Sequence, residues 1–396
     1  MTINNKHNKL NFSNEREQSQ ACLNSAEHEK NQGRKVLNVP NLRFPEFQGE
    51  WEKCKLSEIC TFFSGGTPSS SNKDFYGGNI AFIRSGELHA DSTELFITQA
   101  GFDSSSAKMV EVGDLLLAMY GATSGDIAVS KIKGAINQAI LCIRTKQDKK
   151  FIESVWNKHV SKNLRKYLQG GQGNLSADIV KGISFFFPTL KEQEKIANLV
   201  SLLDERISTQ NKIIDKLQSL IKGIRNKLFE NDKDWRKAKI REFLCIGNGK
   251  DYKHLDFGDI PVYGTGGKML SVNDFLYDGD SVCIGRKGTI DTPLFLTGKF
   301  WTVDTLFYTY GFKDVLPKFC YYLFKQINWQ LYNEGTGVPS LSKSTIENIK
   351  VRIPSIVQQY KICYILDSYE DKIKNEGLIL DLYCSQKQYL LRQMFV

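Results

Sequence analysis

Apolar residues recur at alternating steps of four and three positions in two separate stretches of the chain. This is the heptad period of helices that pair along an apolar face, and it predicts long helices at 189–232 and 355–396. We call the positions on this face, in both helices, the seam. The predicted seam positions are Ile196, Val200, Leu203, Ile207, Gln210, Ile214, Leu217, Ile362, Leu366, Tyr369, Ile373, Glu376, Leu380 and Tyr383.

Both predicted helices begin with the same signal. Thr189-x-x-Glu192 and Ser355-x-x-Gln358 are capping boxes, and each follows a proline that ends the preceding strand. Each helix has about 40 residues, which corresponds to roughly 60 Å at 1.5 Å per residue.

Neither apolar face can stay in water over this length, so we expect the two helices to pair with each other. The alternative is that each helix packs onto its own globular domain or onto another subunit. Gln210 and Glu376 put a polar residue at the fifth seam position of both helices, which costs stability but can fix the register. Lys387 weakens the last third of the second seam.

The sequence repeats itself at a constant offset in numbering. From Gly113-Asp114 to the end, identical residues return at positions 166 apart, and the tryptophans that open the two copies, Trp51 and Trp235, are 184 apart. The first copy therefore carries about 18 extra residues (184 − 166) before Gly113, and the chain is predicted to hold two copies of one unit. Residues that return include Leu175-Ser176 as Leu341-Ser342, Pro188 as Pro354, Gln193 as Gln359, Lys195-Ile196 as Lys361-Ile362, Asp215 as Asp381 and Phe229 as Phe395.

Each copy has a strand-rich stretch followed by its long helix. Helices at about 151–168 and 317–331 interrupt the two strand-rich stretches, and glycine-rich segments are predicted to form turns between strands. The predicted strands are Ile80–Arg84, Leu115–Tyr120, Ile127–Val129, Ile136–Ile143 and Ile183–Phe187 in the first copy, and Ile260–Val262, Ser281–Ile284, Trp301–Tyr308 and Ile349–Ile353 in the second.

These patterns divide the chain into five segments. Residues 1–41 are rich in Asn, Lys, Glu, Gln and Ser and are predicted to form a disordered tail. A first strand-rich domain is predicted at 42–188 and a second at 233–354. The central long helix at 189–232 lies between them in sequence, and the C-terminal long helix occupies 355–396.

The composition indicates a folded protein with a basic surface. Of the residues, 41% are hydrophobic, and the formal charge of +9 suits a polyanionic partner without proving one. The nine cysteines lack the spacing of a zinc site or a redox dithiol, no signal peptide is recognisable, and no apolar run approaches the ~20 residues of a membrane span. We therefore expect reduced thiols, no bound metal and a cytoplasmic location.

No complete catalytic constellation is recognisable in the sequence. The five histidines are isolated, and the segment from Gly264 to Met269 lacks the spacing of a phosphate-binding loop, so a tight turn is the better interpretation. The Asn-Pro-Pro-Tyr/Phe motif that adenine methyltransferases use to hold a flipped base is also missing. We expect no catalytic residues in this chain.

Basic, aromatic and amide side chains cluster in the predicted loops of both copies. Lys and Arg can neutralise phosphates, and Arg, Asn, Gln and Ser can contact base edges. For any single residue, a solvated surface or a turn is the simpler interpretation. The recurrence at equivalent places favours DNA binding, as for Tyr120 and Arg286, which are 166 apart. The candidates are Lys73, Tyr76, Arg84, Ser85, Tyr120, Asn137, Gln138, Gln172, Asn174, Lys250, Tyr252, Lys253, Lys268, Arg286, Lys287, Thr336 and Ser340.

With these features in order, the chain resembles the specificity subunits of type I restriction–modification systems over about 42–396. The segments that carry the resemblance in the first copy are Phe44-Pro45-Glu46-Phe47, Ser64-Gly65-Gly66-Thr67-Pro68-Ser69, Phe82-Ile83-Arg84-Ser85-Gly86-Glu87-Leu88, Gly113-Asp114-Leu115-Leu116, Tyr120-Gly121-Ala122-Thr123 and Asn137-Gln138-Ala139. Those in the second copy are Val262-Tyr263-Gly264-Thr265-Gly266-Gly267, Ile284-Gly285-Arg286-Lys287-Gly288-Thr289 and Phe300-Trp301-Thr302-Val303-Asp304-Thr305.

The resemblance implies an α+β fold. Two similar strand-rich target-recognition domains would be separated by two long antiparallel helices in a coiled coil, with a pseudo-two-fold internal repeat. Each domain would recognise one half of an asymmetric, interrupted DNA site, and the helices would set the gap. Half-sites contacted from one face lie about 34 Å apart, a separation that a ~60 Å helix pair can span.

The resemblance also implies partners for the chain. Two methyltransferase subunits that use S-adenosylmethionine, and restriction subunits that use ATP and Mg²⁺, would supply all the chemistry, and this chain would need no cofactor. A stand-alone DNA-binding regulator and an enzyme with an unrecognised site are the alternatives. The DNA sequence that is recognised does not follow from these residues, because side-chain preferences are degenerate and DNA shape contributes.

Overall fold

The computed structural model describes residues 37–167, 174–230 and 234–396. They form two compact units, one extending to Glu205 and including Cys384–Val396, the other comprising Arg206–Tyr383. Each long helix therefore contributes to both units. The predicted tail falls largely on residues 1–36, outside the described residues. Asn38 and Asn41, which we assigned to that tail, are hydrogen-bonded within the first unit: Trp51 donates its backbone N–H to Asn38 O, and Asn41 Nδ2 donates to Gln393 Oε1.

Within its described residues, the first unit contains ten strands in three sheets. An antiparallel sheet has the order β2-β9-β6-β7, a mixed sheet has the order β4-β3-β8-β5 with β3 and β8 parallel, and β1 pairs with β10. The elements are β1 (Glu52–Lys55), α1 (Leu56–Ile59), β2 (Cys60–Ser64), β3 (Tyr76–Ile83), β4 (Phe96–Ile97), α2 (Gln99–Asp103), β5 (Lys108–Val110), β6 (Leu115–Ala118), β7 (Ile127–Val129), β8 (Gly134–Ile136), β9 (Ile140–Thr145), α3 (Lys149–Tyr167), α4 (Ala177–Gly182), β10 (Ser184–Phe187) and the central helix α5 (Leu190–Glu230).

The second unit repeats this topology strand for strand. Its sheets have the orders β12-β19-β16-β17, β14-β13-β18-β15 and β11-β20, and β13 and β18 are parallel. The elements are β11 (Arg236–Lys239), β12 (Cys245–Asn248), β13 (Phe257–Gly264), β14 (Gly267–Val272), β15 (Tyr277–Asp278), β16 (Ser281–Gly285), β17 (Leu294–Leu296), β18 (Lys299–Thr302), β19 (Leu306–Tyr310), α6 (Pro317–Phe324), α7 (Lys343–Asn348), β20 (Lys350–Ile353) and the C-terminal helix α8 (Ile356–Gln393).

Two predicted strands were wrong in the same way. Ile136–Ile143 and Trp301–Tyr308 were each predicted as one strand, but each is two strands that belong to different sheets. Asn137 causes the first break, because its Oδ1 accepts the N–H of Ala139 and its backbone carbonyl accepts the N–H of Ile140. In the second copy the carbonyl of Val303 accepts the N–H of Leu306, so the break recurs at the repeat-equivalent residue.

The helix predicted at 317–331 was too long. It ends at Phe324, and a separate 3₁₀ turn follows at Trp329–Tyr332. Trp329 is buried and donates its ring N–H to the carbonyl of Phe324, at 2.9 Å. The Phe324 carbonyl, which has no partner within the helix, also accepts the N–H of Ile327 at 3.3 Å, so both bonds satisfy it where the helix ends.

An aromatic cluster joins a long helix to the strands in each unit. Trp51 lies 5.7 Å from Phe151 and 6.5 Å from Phe395 between ring centroids, and Phe395 is at the end of the chain. In the second unit Trp235 lies 5.6 Å from Phe229, near the end of α5, and 6.1 Å from Phe319. Because Phe229 and Phe395 are repeat equivalents, both copies use the same residue for this contact.

The two long helices run antiparallel where they meet. In the second unit Gln210 contacts Glu376, and residues late in α5 share a hydrophobic cluster with residues early in α8. In the first unit Asp204 of α5 forms an ion pair with Lys387 of α8. Numbers that rise along α5 therefore fall along α8. The long-helix residues of this cluster are Ile221, Ile224, Leu228, Phe229, Ile362, Cys363 and Leu366.

Candidate nucleic-acid interface

Three of the predicted DNA-binding residues of the second unit come together at one surface pocket. Arg286, Lys287 and Ser340 line a cavity of about 340 Å³ beside the end of β16. The pocket also includes Asn248 and Lys343, which we did not select from the sequence, because no feature of the repeat distinguishes them.

Backbone hydrogen bonds hold this pocket in place. Arg286 donates its N–H to the carbonyl of Thr305 at 2.7 Å, and its own carbonyl accepts the N–H of Leu341 at 2.9 Å. Lys287 and Ser340 form an isolated antiparallel bridge. The backbone is therefore fixed, whereas the side chains of Arg286 and Lys287 are exposed and available to a ligand. The Arg286 guanidinium lies 6.0 Å from the ring of Phe307, within the range of a cation–π contact.

An acidic group lies among these cations. Glu334 lines the same pocket, and its carboxylate accepts hydrogen bonds from the hydroxyls of Thr345 and Ser342. These hydrogen bonds lower the pKa of Glu334, so the group is charged at neutral pH. With Arg286, Lys287 and Lys343 present, the ionisable side chains of the pocket still leave it net positive.

The remaining candidates of the second unit lie apart from this pocket's lining. Tyr252 is half-buried and packs against the cluster around Trp301, so much of its surface is already in contact with protein. Lys250 is exposed, and its backbone carbonyl accepts the ring N–H of Trp301 at 2.8 Å. Lys253, Lys268 and Thr336 are exposed.

In the first unit, several candidates also have a structural contact. Tyr76 donates its hydroxyl to the carbonyl of Pro68 at 2.8 Å, and Arg84 forms an ion pair with Glu87 at 2.6 Å. Gln138 accepts a hydrogen bond from the Thr67 hydroxyl at 2.6 Å.

Other candidates of the first unit lie at loop positions. Tyr120 is exposed directly before a 3₁₀ turn, Asn137 forms the turn between β8 and β9, and Asn174 is half-buried. Lys73 is exposed and Ser85 is half-buried. Gln172 lies outside the described residues.

The same pair of loops meets in both units. Leu175 donates its N–H to the carbonyl of Met119 at 2.8 Å, which places Asn174 beside the loop that contains Tyr120. The bond from Leu341 to Arg286 has the same role in the second unit. The loop after β6 and the loop after β16 are thus held by the same Leu-Ser dipeptide of the repeat.

The predicted seam residues lie on one side of each helix. Within the first unit Ile196, Val200 and Leu203 are buried. Within the second, Gln210, Ile362 and Leu366 are buried. The half-buried seam residues are Ile207, Ile214, Leu217, Tyr369, Ile373, Glu376, Leu380 and Tyr383.

Neither a membrane-spanning helix nor a metal-binding cluster is present in the described ranges. No helix within 37–167, 174–230 and 234–396 is long and apolar enough to cross a membrane. In the same part of the chain, no group of three or more His, Cys, Asp or Glu side chains is placed to hold a metal ion.

Comparison with known proteins gives consistent matches. The family model of the type I restriction modification DNA specificity domain matches twice, at residues 48–219 and 232–381. The specificity subunit of the type I restriction enzyme MjaVIII of Methanocaldococcus jannaschii is 22% identical, over 84% of this chain and 88% of the relative. The EcoR124I/EcoR124II specificity subunit of Escherichia coli is 28% identical over 49% of each chain.

A solved structure shares the fold. The S subunit of a type I restriction–modification system from M. genitalium superimposes with a TM-score of 0.63 and 18% identity, covering 90% of this chain and 99% of that one. The two matches to one domain model each fall on one copy of the repeat. The chain therefore belongs to the family of type I restriction–modification DNA specificity subunits.

Proposed function

We propose that this chain recognises an asymmetric DNA site in two parts, one half with each strand-rich domain. The duplication of the whole strand topology carries the proposal. Both copies place exposed basic, aromatic or amide side chains in the loop after the same strand, at Tyr120 and at Arg286. Because the loop residues differ while the sheets are the same, the two domains would recognise different sequences.

The chain would act through partners. We infer that it binds two methyltransferase subunits and the restriction subunits of a type I complex. S-adenosylmethionine, ATP and Mg²⁺ would serve those subunits, and this chain would bind none of them. The family membership favours this role over the stand-alone regulator that the sequence left open.

Exchange of one domain tests the proposal. Replacing residues 51–188 with the matching segment of a relative, in cells that contain the partner methyltransferase, should change one half of the methylated sequence completely and leave the other half unchanged. Long-read mapping of methylated adenines measures both halves. The control is the reciprocal exchange of residues 235–354, which should change only the other half. A change in both halves after one exchange would refute one domain per half-site.

A further inference from the structure

Each long helix begins with a glutamine that is completely buried. Gln193 and Gln359 are equivalent positions of the repeat, and both have 0% exposure. A buried amide is unusual unless all its polar atoms are paired, since each unpaired group costs about 1–3 kcal/mol. The contacts of these two side chains therefore indicate what they hold together.

The Gln193 amide joins three segments of the first unit. Its Oε1 accepts the backbone N–H of Asp148 at 3.1 Å, and its Nε2 donates to Gln147 Oε1 at 2.8 Å and to the Pro188 carbonyl at 2.9 Å. Asp148 in turn accepts the N–H of Phe151 on its own carboxylate, in the first turn of α3. The glutamine thus links the start of α5 to the start of α3.

The Gln359 amide makes three corresponding contacts in the second unit, with a backbone carbonyl in place of the Gln147 side chain. Its Oε1 accepts the N–H of Leu316 at 2.8 Å, and its Nε2 donates to the carbonyls of Asp314 at 3.2 Å and Pro354 at 3.0 Å. Leu316 directly precedes α6. In both copies, then, one amide connects the long helix, the strand before it and the loop that leads into the helix of the recognition domain.

A second connection follows three helical turns later. Asp204 and Glu370 lie eleven residues after the glutamines (204 − 193 and 370 − 359), so they face the same side of their helices. Asp204 forms an ion pair with Lys150 of α3 at 2.8 Å, and Glu370 with Lys325, directly after α6, at 3.0 Å. Two separated contacts along one long helix fix the orientation of the strand-rich domain relative to that helix. A single contact would leave the domain free to pivot.

We propose that Gln193 and Gln359 are positioning residues that set the direction in which each recognition domain is presented to DNA. They would act through α3 and α6 and would not touch DNA. The inference rests on the proposed function, since it assumes that two half-sites must be met at one separation. A domain that can pivot on its helix would accept half-sites one base pair nearer or farther, a shift of about 3.4 Å.

The test replaces each glutamine with its isostere. Gln193→Glu and Gln359→Glu keep an oxygen for the backbone N–H. A carboxylate donates no hydrogen bond, and a carboxyl group that is protonated because it is buried donates only one, so at least one of the two donated hydrogen bonds is lost with little change in shape. Gln358→Glu is the matched control, because that residue is exposed and uses its oxygen to accept from Ser355, which a carboxylate can also do. Each variant is produced as the full chain together with the methyltransferase subunits of its own system.

The readout is the ratio of methylation at altered gaps to methylation at the native gap. The amount of folded protein changes both quantities equally and so does not affect this ratio. Plasmids carry the site that the wild type methylates and versions whose gap is one base pair shorter or longer. We expect the ratio of methylation at altered gaps to that at the native gap to rise about fivefold in either glutamine variant, equivalent to about 1 kcal/mol. The half-site sequences and the ratio in Gln358→Glu should stay as in the wild type.

Three outcomes separate the possibilities. A raised ratio supports the positioning role. An unchanged ratio, with methylation falling only as the folded fraction falls, would show a merely structural role and overturn the inference. If the wild type methylates no two-part site, the proposed function itself fails, and the inference fails with it. Should the glutamine variants be insoluble, Glu370→Gln removes the second connection and is expected to raise the same ratio by a smaller factor.

Discussion

The two recognition domains have the same framework and different loops. In the part of the chain that the structure describes, ten strands correspond one to one, including the parallel pair of each mixed sheet. The connections differ most between the first strands of that sheet. Residues 84–95 connect β3 to β4, whereas Thr265 and Gly266 alone close the hairpin between β13 and β14. The extra residues of the first copy are accommodated mainly here, and the sheet tolerates them because a connection lies on the surface.

This contrast separates residues that must stay the same from residues that are free to change. The buried glutamine and the aromatic cluster recur because each fills a fixed position against the long helix. The loop after β6 offers Tyr120, while the loop after β16 offers Arg286, and both side chains are exposed. Recognition can therefore diverge between the copies without a cost in stability.

The shared framework should be most sensitive at the seam. Leu203 is 5% exposed and its neighbour Leu202 is 58% exposed, so the two offer a matched pair on one helix. We expect Leu203→Ala to lower the free energy of unfolding by about 2–4 kcal/mol, because the buried side chain leaves a cavity. Leu202→Ala should change it by less than about 0.5 kcal/mol. Chemical denaturation with separate probes of each unit measures both, and equal effects would contradict the assignment of the seam.

The divergent loops should affect DNA binding instead. Arg286→Ala is expected to weaken binding by about 1–3 kcal/mol and to relax specificity in one half of the site only. Lys268→Ala tests a phosphate contact instead. It should weaken binding to all sequences equally and reduce the slope of log binding constant against log salt concentration by about one. Binding titrations of the assembled complex with single-base variants of both half-sites, at several salt concentrations, distinguish the two. Loss of specificity in both halves after Arg286→Ala would contradict the assignment of one domain to each half-site.

Removing the contact between Gln210 and Glu376, which are equivalent positions of the two copies, should change the free energy of unfolding by a smaller amount. Gln210 donates its amide to Glu376 Oε2 at 2.6 Å and to the Glu376 carbonyl at 3.0 Å. We expect Gln210→Leu alone to cost about 1–2 kcal/mol, because it leaves the half-buried carboxylate without this donor. Replacing both residues with leucine should recover that loss, since a polar seam pair serves register more than stability.

A double-mutant cycle provides the measurement. The wild type, Gln210→Leu, Glu376→Leu and the double variant are unfolded under the same conditions. The coupling energy is the part of the double variant's change in unfolding free energy that the sum of the single variants does not explain. Additive effects would mean that the two side chains do not interact across the seam.

The sequence predicted the long helices and the repeat because both rest on periodicity. The seam pattern gave helices at 189–232 and 355–396, within a few residues of those observed. The antiparallel direction came from the family resemblance, since a heptad pattern does not distinguish the two directions. Lys387 had weakened the prediction for the last third of the second seam. In the first unit it forms an ion pair with Asp204, which compensates its charge.

Short strands were harder to predict because their boundaries depend on tertiary contacts. The apolar run from Ile136 to Ile143 looks continuous, and only the division of β8 and β9 between two sheets requires the turn at Asn137. The pocket around Arg286 was missed as a unit for a related reason. It is assembled from loops that are distant in the sequence, and they are joined by backbone contacts, among them the hydrogen bond from Leu341 to Arg286 and the bridge between Lys287 and Ser340.

The smallest expected change in stability concerns Asp204, one of the two acidic residues that join a long helix to its strand-rich domain. The other is Glu370, and the two have different partners. Asp204 forms ion pairs with Lys150 of α3 and with Lys387 of the other long helix, whereas Glu370 forms ion pairs with Lys318 and Lys325 of the α6 region. Burial by itself would raise the pKa of Asp204, but the hydrogen bonds from both lysines outweigh it and lower the pKa. A lowered pKa in the folded state contributes stability above the unfolded value of about 3.9, and the contribution disappears as the pH falls through the folded value.

Asp204→Asn should therefore be less stable than the wild type at pH 7, by no more than about 1 kcal/mol because the pair is partly exposed. The difference should shrink below about pH 4, as the wild-type carboxyl takes up its proton. Denaturant unfolding at a series of pH values measures it, with Glu205→Gln, the exposed neighbouring acid, as the control. If the difference in unfolding free energy stays constant to the lowest pH, Asp204 acts through packing. The charge of its carboxylate would then not be what joins α5 to α8.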